Sequence, residues 1–132
     1  VTFSGIENIA RDLVVCDRFD YDWALETTFR LLRSDNRPDA ILAFNDIITF
    51  AAFNAIKQLG LRIPEDVALI GFTDDVHAQY VTPKLSAIED QSRLMGQTAC
   101  RLLLKNIAGD RKIYREIVPQ KVIIRETSAR RK

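Results

Sequence analysis

Short apolar runs alternate with longer segments of helical periodicity along this chain, and this alternation constrains the fold more than any other feature. Residues 40–44, 67–72 and 85–89 are apolar over nearly their whole length, which is typical of strands buried on both faces of a sheet. The segments that follow the helical period are residues 22–34, 46–59 and 92–109. A strand is also predicted at residues 12–16, and two short strands are predicted on either side of Pro119.

The order of these elements predicts an α/β fold. It favours a three-layer, Rossmann-like arrangement, in which a mostly parallel sheet carries helices on both faces. Gly60 is expected to end the second helix in a left-handed cap, and residues 74–81 are long enough for one or two helical turns. With 132 residues, no repeat and no linker, residues 1–132 are expected to form one domain.

Composition excludes several classes of protein. The 19 basic and 18 acidic residues leave a net charge of +1, which gives no electrostatic footprint for nucleic acid. No apolar run approaches the roughly 20 residues that a membrane span needs. Cys16 and Cys100 are isolated and are expected to be reduced thiols, although a disulfide between them stays open. The chain has neither an initiator Met nor a signal-peptide pattern, so we expect a piece of a longer cytoplasmic protein.

Polar residues follow each predicted strand, in the stretches "CDRFD", "FNDI", "FTDD" and "EDQS". In open parallel sheets, ligands bind at these carboxyl ends. Carboxylates could hold magnesium there, but no phosphate-binding motif accompanies them. His77 has no nucleophile placed beside it by a recognisable motif, and the acids do not follow the receiver-domain pattern. Metal, phosphate and hydrolase sites are therefore disfavoured.

A neutral polar ligand suits these strand ends best, because amide, hydroxyl and carboxylate groups offer it both donors and acceptors. The side chains that supply these groups are Asn45, Asp46, Thr73 and Asp74. Phe19 or Trp23 could stack on a sugar or a base. The competing interpretation is helix capping, with Asp46 as the N-cap of its helix and Asp74 or Asp75 as the N-cap of the next.

The helix that starts at Asp46 has two apolar stripes. One passes through Ile48, Ala52, Ala55 and Leu59, and the other contains Ile47, Phe50 and Phe53. One stripe covers the sheet, and the second exceeds what a surface helix needs. A dimer interface and core packing against a neighbouring helix both remain possible for it.

The chain resembles the lac/gal repressor family of bacterial transcription regulators. The resemblance runs from about Leu13 to Arg131 and is carried by "DAILAFND", "AIKQLGLRIPEDVALIGF", "YVTPKLSAI", "MGQTACRLLL" and "KVIIRETSARR", in that order. It implies the periplasmic-binding-protein type of fold, with an effector between two subdomains and a helix-turn-helix headpiece in front of them. The matching part is the C-terminal subdomain; the headpiece and most of the N-terminal subdomain have no counterpart here.

The resemblance also implies roles for individual residues. Asn45, with Asp46 beside it, matches a position that bonds the effector, and Phe19 matches an aromatic that lines the pocket. Thr73 stands where the family usually has an Asp, and Asp74 matches the second acid. The family's dimer interface is expected to include three further residues: Ile47, Phe50 and Tyr80.

These observations predict the effector-binding and dimerisation part of a transcription regulator that senses a sugar or nucleoside. We expect a homodimer that contacts operator DNA only through a headpiece outside this chain, without catalysis, cofactor, metal or membrane. The main alternative is a periplasmic sugar-binding protein that serves transport. A more distant alternative is an enzyme that uses Asp74 and Asp75.

Overall fold

The structure, a computed structural model, describes residues 13–15, 20–72 and 76–129. Its regular elements follow the predicted order of strands and helices. In chain order they are α1 (Tyr21–Leu32), β1 (Ala40–Ala43), α2 (Asp46–Gln58), β2 (Ala68–Phe72), a 3-10 helix (Val76–Gln79), β3 (Ser86–Glu89), α3 (Ser92–Ile107) and β4 (Lys121–Ile123).

The described strands form one sheet in the order β1-β2-β3-β4. The pairs β1–β2 and β2–β3 are parallel, whereas β4 runs antiparallel to β3. The α/β class and the mostly parallel sheet are thereby confirmed. Two crossover connections join the three parallel strands, and the first of them contains α2.

The core lies between α2 and one face of the sheet. α2 contacts β1 and β2, and α1 packs on α2. The largest fully buried side chains of this layer include Ile56, Leu69 and Leu85. Gly71 in β2 allows a close approach, because a Cβ atom at this position would lie 2.9 Å from Oγ1 of Thr49 in α2. A side chain larger than hydrogen would require Thr49 or the strand to shift.

The opposite face of the sheet is largely open in the described part of the chain. Leu42, next to Ile70 in the register of β1 and β2, is 65% exposed. Val122, which pairs with Ile88, is 60% exposed. α3 has no buried residue, so the apolar positions that follow its helical period are not covered. Helical periodicity predicted the helix correctly but not what it packs against.

Two predicted strands differ from the structure. Residues 13–15, the described part of the predicted strand 12–16, are exposed and not assigned to a strand. Only the second of the two strands predicted around Pro119 is present, as β4, because backbone pairing with β3 begins at Lys121. An apolar run becomes a strand only where a neighbouring strand is available to pair with it.

The connection between α2 and β2 is fixed at both ends. Gly60 has a φ of 70°, which confirms the predicted left-handed cap. Arg62 then donates from Nε and Nη2 to the carboxylate of Asp66, at 3.0 and 2.8 Å. These hydrogen bonds hold the pKa of Asp66 well below its usual range. Because the folded-state pKa is lowered, this contribution to stability is present above the ordinary carboxyl pKa and is lost as the pH falls.

A single threonine joins the C-terminal segment to the two central strands. The Oγ1 of Thr127 donates to the carbonyl of Leu69 in β2 at 2.7 Å and accepts from the N–H of Ser86 in β3 at 2.8 Å. Its backbone makes two further hydrogen bonds. The carbonyl of Thr127 accepts from the N–H of Leu69 in β2, and the N–H of Thr127 donates to the carbonyl of Lys84, just before β3. Thr127 is fully buried, so none of these groups can turn to water instead.

We predict that Thr127→Val lowers the free energy of unfolding by about 1–3 kcal/mol. The substitution preserves shape but leaves the buried N–H of Ser86 without its acceptor, and an unsatisfied buried donor costs about that much. Urea denaturation measures the effect. Thr127→Ser, which retains the hydroxyl, is the matched control and should lose less; an equal loss in the two variants would contradict the role assigned to the hydroxyl.

Candidate functional site

Asn45 and Asp46 lie where β1 ends and α2 begins, at the carboxyl edge of the parallel strands. This is the edge at which open α/β sheets bind ligands. Both side chains are partly buried. The Oδ1 of Asn45 accepts from the N–H of Ile48 at 2.9 Å, and Oδ1 of Asp46 accepts from the N–H of Ile47 at 2.9 Å. The carboxamide and the carboxylate therefore both sit at the start of α2.

The N-cap of α2 is Asn45 and not Asp46, which corrects the expectation from sequence. Asn45 has the extended backbone that an N-cap requires, with φ −145° and ψ 175°. Its carbonyl also accepts from the backbone N–H and the hydroxyl of Thr49. Asp46 is the first residue of the helix, where its negative charge is favourable to the helix dipole. Capping therefore uses the side-chain oxygen of Asn45, Oδ1. It does not use the side-chain amide nitrogen.

An aromatic pair stands directly beside these residues. The rings of Phe44 and Phe72, at the ends of β1 and β2, are stacked with centroids 6.0 Å apart and planes 20° apart. Phe44 is 65% exposed. Sequence analysis did not single out this pair, although a signal was present: both residues end their apolar runs, and parallel register brings the ends of adjacent strands together.

Three of the predicted ligand-binding residues, Phe19, Thr73 and Asp74, lie outside the described residues. Trp23, the other candidate aromatic, is in the first turn of α1, where its backbone N–H donates to the capping carboxylate of Asp20 at 3.0 Å. The structure therefore brings together Asn45 and Asp46 of the predicted set, and adds Phe44 and Phe72 to them.

The predicted interface residues occupy a surface formed by α2 and the 3-10 helix. Tyr80 is 78% exposed and Ile47 is 42% exposed, whereas Phe50 is partly buried and packs on the core. The ring edge of Phe50 contacts His77, with centroids 6.5 Å apart. Phe53, in the same apolar stripe, is buried in the core. The stripe thus serves the core at one end and is exposed at the other.

The described residues contain no group of three metal-ligating side chains. Cys100 is an exposed free thiol on α3, and Cys16 lies outside the described residues. Among the helices that the structure describes, none is both long enough and apolar enough to cross a membrane.

We predict that Asn45→Ala lowers the free energy of unfolding by about 1 kcal/mol through loss of the N-cap. Asn45→Asp keeps an acceptor for the N–H of Ile48 and should leave stability close to that of the wild type. Chemical denaturation of the two variants measures the difference. Equal destabilisation by both substitutions would show that capping is not what the side-chain oxygen contributes.

The chain is similar in sequence to a known domain family and to known repressors. Residues 7–128 match the periplasmic binding protein-like domain. The HTH-type transcriptional repressor PurR of Aliivibrio salmonicida is 33% identical over 111 residues, which cover 80% of this chain and 33% of that protein. The chain therefore spans about a third of the length of this curated relative.

Solved structures give the same result. A LacI family transcriptional regulator from Bifidobacterium animalis subsp. lactis superposes with a TM-score of 0.78 at 30% identity, covering 83% of this chain and 40% of the other. The lac repressor dimer bound to operator and the anti-inducer ONPF superposes with a TM-score of 0.73 at 28% identity, covering 80% and 37%. The chain belongs to the periplasmic-binding-protein-like domain family, in the branch formed by the transcriptional repressors of the lac/gal type.

Proposed function

We propose that this chain is the effector-binding and dimerisation part of a bacterial DNA-binding transcription regulator. The observation that carries the proposal is the position of Asn45 and Asp46, at the carboxyl edge of a parallel sheet in a domain whose relatives are transcriptional repressors. Operator DNA is contacted through a headpiece outside these 132 residues. The net charge of +1 supports this division, since it gives the chain itself no attraction for DNA phosphates.

The effector is a sugar or nucleoside, bound by Phe19, Asn45, Asp46, Thr73 and Asp74 together with groups from a second subdomain. Asn45 supplies amide donors, and Asp46 supplies carboxylate acceptors. An effector that prefers one relative orientation of the two subdomains shifts the population toward it, and this change alters the spacing of the DNA-binding heads. This role is one of binding without catalysis or a cofactor, and it agrees with relatives that are transcriptional repressors.

The protein acts as a homodimer in the cytoplasm. The surface that meets a second copy contains Ile47 and the partly buried Phe50 on α2, and the exposed Tyr80 just after the 3-10 helix. Self-complementary apolar patches of this kind suit a two-fold interface, in which the same surface is used twice. The structurally similar lac repressor forms a dimer when it is bound to operator and the anti-inducer ONPF.

A periplasmic transport protein would have the same fold, but the relatives of this chain are transcriptional repressors, which favours the regulator. The two functions are separated by a mobility-shift assay with the whole gene product and the DNA upstream of its own gene. A regulator should bind this DNA, and a cognate effector should change the apparent Kd by about 5- to 150-fold, the usual range of allosteric coupling.

Asn45→Asp is the informative variant in that assay. It should retain DNA binding and stability but respond only at higher effector concentration, because it keeps the capping acceptor and loses the amide donors. A protein that binds a sugar but no DNA would favour the transport function. DNA binding that no bound small molecule alters would contradict the effector role.

For dimerisation, we predict that Tyr80→Glu weakens self-association at least about tenfold, since a buried, unpaired carboxylate opposes an apolar interface. Sedimentation equilibrium measures the dissociation constant. Ile113→Glu is the matched control, because Ile113 is 100% exposed and lies in the segment after α3 and not on α2 or the 3-10 helix. Equal association constants for the wild type and both variants would place the interface elsewhere.

A further inference from the structure

We propose that one side of α3 is a docking surface for an acidic amphipathic helix of another protein. A shallow groove on this side is lined by six residues at helical spacing: Gln97, Cys100, Arg101, Leu104, Lys105 and Ala108. We call it the basic groove. The inference goes beyond the proposed function, because it concerns neither the effector site nor operator DNA nor the dimer surface on α2.

Charge is unevenly distributed along the chain, although its net charge is only +1. Residues 20–91 contain six basic and twelve acidic residues, whereas residues 92–121 contain seven basic and two acidic residues. The seven basic side chains of the second range are all exposed: Arg93, Arg101, Lys105, Arg111, Lys112, Arg115 and Lys121. The helix α3 and the segment after it therefore present a positive surface, which favours an acidic partner.

Two basic side chains of the groove are held in place by the segment that follows α3. The Nη2 atom of Arg101 lies 2.5 Å from Oε2 of Glu116, and Nζ of Lys105 lies 5.1 Å from the centre of the Tyr114 ring. Both side chains of the Arg101–Glu116 pair are exposed, and an exposed ion pair contributes little to stability. Exchange of this carboxylate for one of a partner therefore costs little.

The two sides of α3 differ in charge. The side opposite the groove carries Met95, Ala99 and Leu102 and has no charged residue, which suits packing inside a larger protein. Arginine and lysine are almost never fully buried. The side with Arg101 and Lys105 is thus the one that stays at the surface, where a separate protein can reach it.

The pattern of the groove fits a helix better than a nucleic acid. Gln97, Cys100 and Leu104 follow one another at spacings of three and four residues, and Arg101 and Lys105 flank them. Two helices pack along such a seam, with charges of opposite sign on either side. Single-stranded nucleic acid instead stacks its bases on aromatic side chains, and none of the six lining residues is aromatic.

The test is fluorescence anisotropy of the whole gene product with a labelled probe peptide. The probe is about three heptads long, with leucine at the first and fourth positions of each heptad and glutamate at the flanking positions. We expect it to bind with a Kd that rises with salt concentration, because exposed charges are screened. A peptide with glutamine in place of every glutamate should bind at least about tenfold more weakly.

Lys105→Glu should raise the Kd for the glutamate peptide about tenfold or more, since it places a like charge opposite the glutamates. Lys57→Glu is the matched control, because Lys57 is exposed in the last turn of α2 just as Lys105 is exposed in the last turn of α3. It should leave that Kd unchanged. Thermal unfolding establishes that each variant is folded.

A second pair of variants tests the apolar part of the groove without changing charge. Leu104→Ala should raise the Kd for the glutamate peptide severalfold, because Leu104 lines the groove. Leu103→Ala is its control, since Leu103 is equally exposed, at 59% against 60%, but is not a lining residue. It should bind the peptide as the wild type does.

Several results would overturn the inference while leaving the proposed function intact. Absence of peptide binding would reject the docking surface, and equal affinity for the glutamate and glutamine peptides would reject the role of charge. Equal Kd values for Lys105→Glu and Lys57→Glu would place any binding elsewhere. Duplex DNA of non-operator sequence is the last probe: if Lys105→Glu but not Lys57→Glu weakened its binding, and the peptide did not bind, the surface would be one for nucleic acid.

Discussion

The central part of the sheet depends on the two hydrogen bonds made by the buried hydroxyl of Thr127. It lies between β2 and β3 and satisfies a carbonyl of one strand and an N–H of the other, while its own backbone bonds the same region. Thr127, which follows β4 in the chain, thus links the two central strands, β2 and β3, by hydrogen bonds. Because every polar atom of Thr127 is used and none reaches water, its loss would leave partners on both strands unsatisfied.

The site depends on a second close contact, that between Gly71 and Thr49. This contact sets the distance between α2 and β2, and Thr49 in turn donates from its hydroxyl to the carbonyl of Asn45. The N-cap is therefore positioned from within the core. Asn45 is held by its backbone and by its side-chain oxygen, so its amide nitrogen keeps a fixed direction at the sheet edge. Such preorganisation reduces the entropy lost when a ligand binds.

The two faces of the sheet differ in how much of their surface is buried. The face under α2 is the core, with α1 packed outside it. The opposite face, with Leu42 and Phe44, and the apolar side of α3 remain exposed. For a domain that matches about a third of the length of a longer repressor, uncovered apolar surface is expected where further parts of such a protein would pack. The ion pair between Arg62 and Asp66 lies outside the core, in the loop that connects α2 with β2.

The sequence by itself determined the α/β class, the order of the elements and the boundaries of most helices and strands to within one or two residues, because apolar periodicity is a local property. It also identified Asn45 and Asp46 as residues of the strand end, and Gly60 as a helix cap. Only the tertiary structure decided that Asn45 caps α2, that Phe44 and Phe72 stack, and that Thr127 joins two strands. These features depend on strand register and on contacts between residues up to 58 positions apart, and no local pattern encodes such distances.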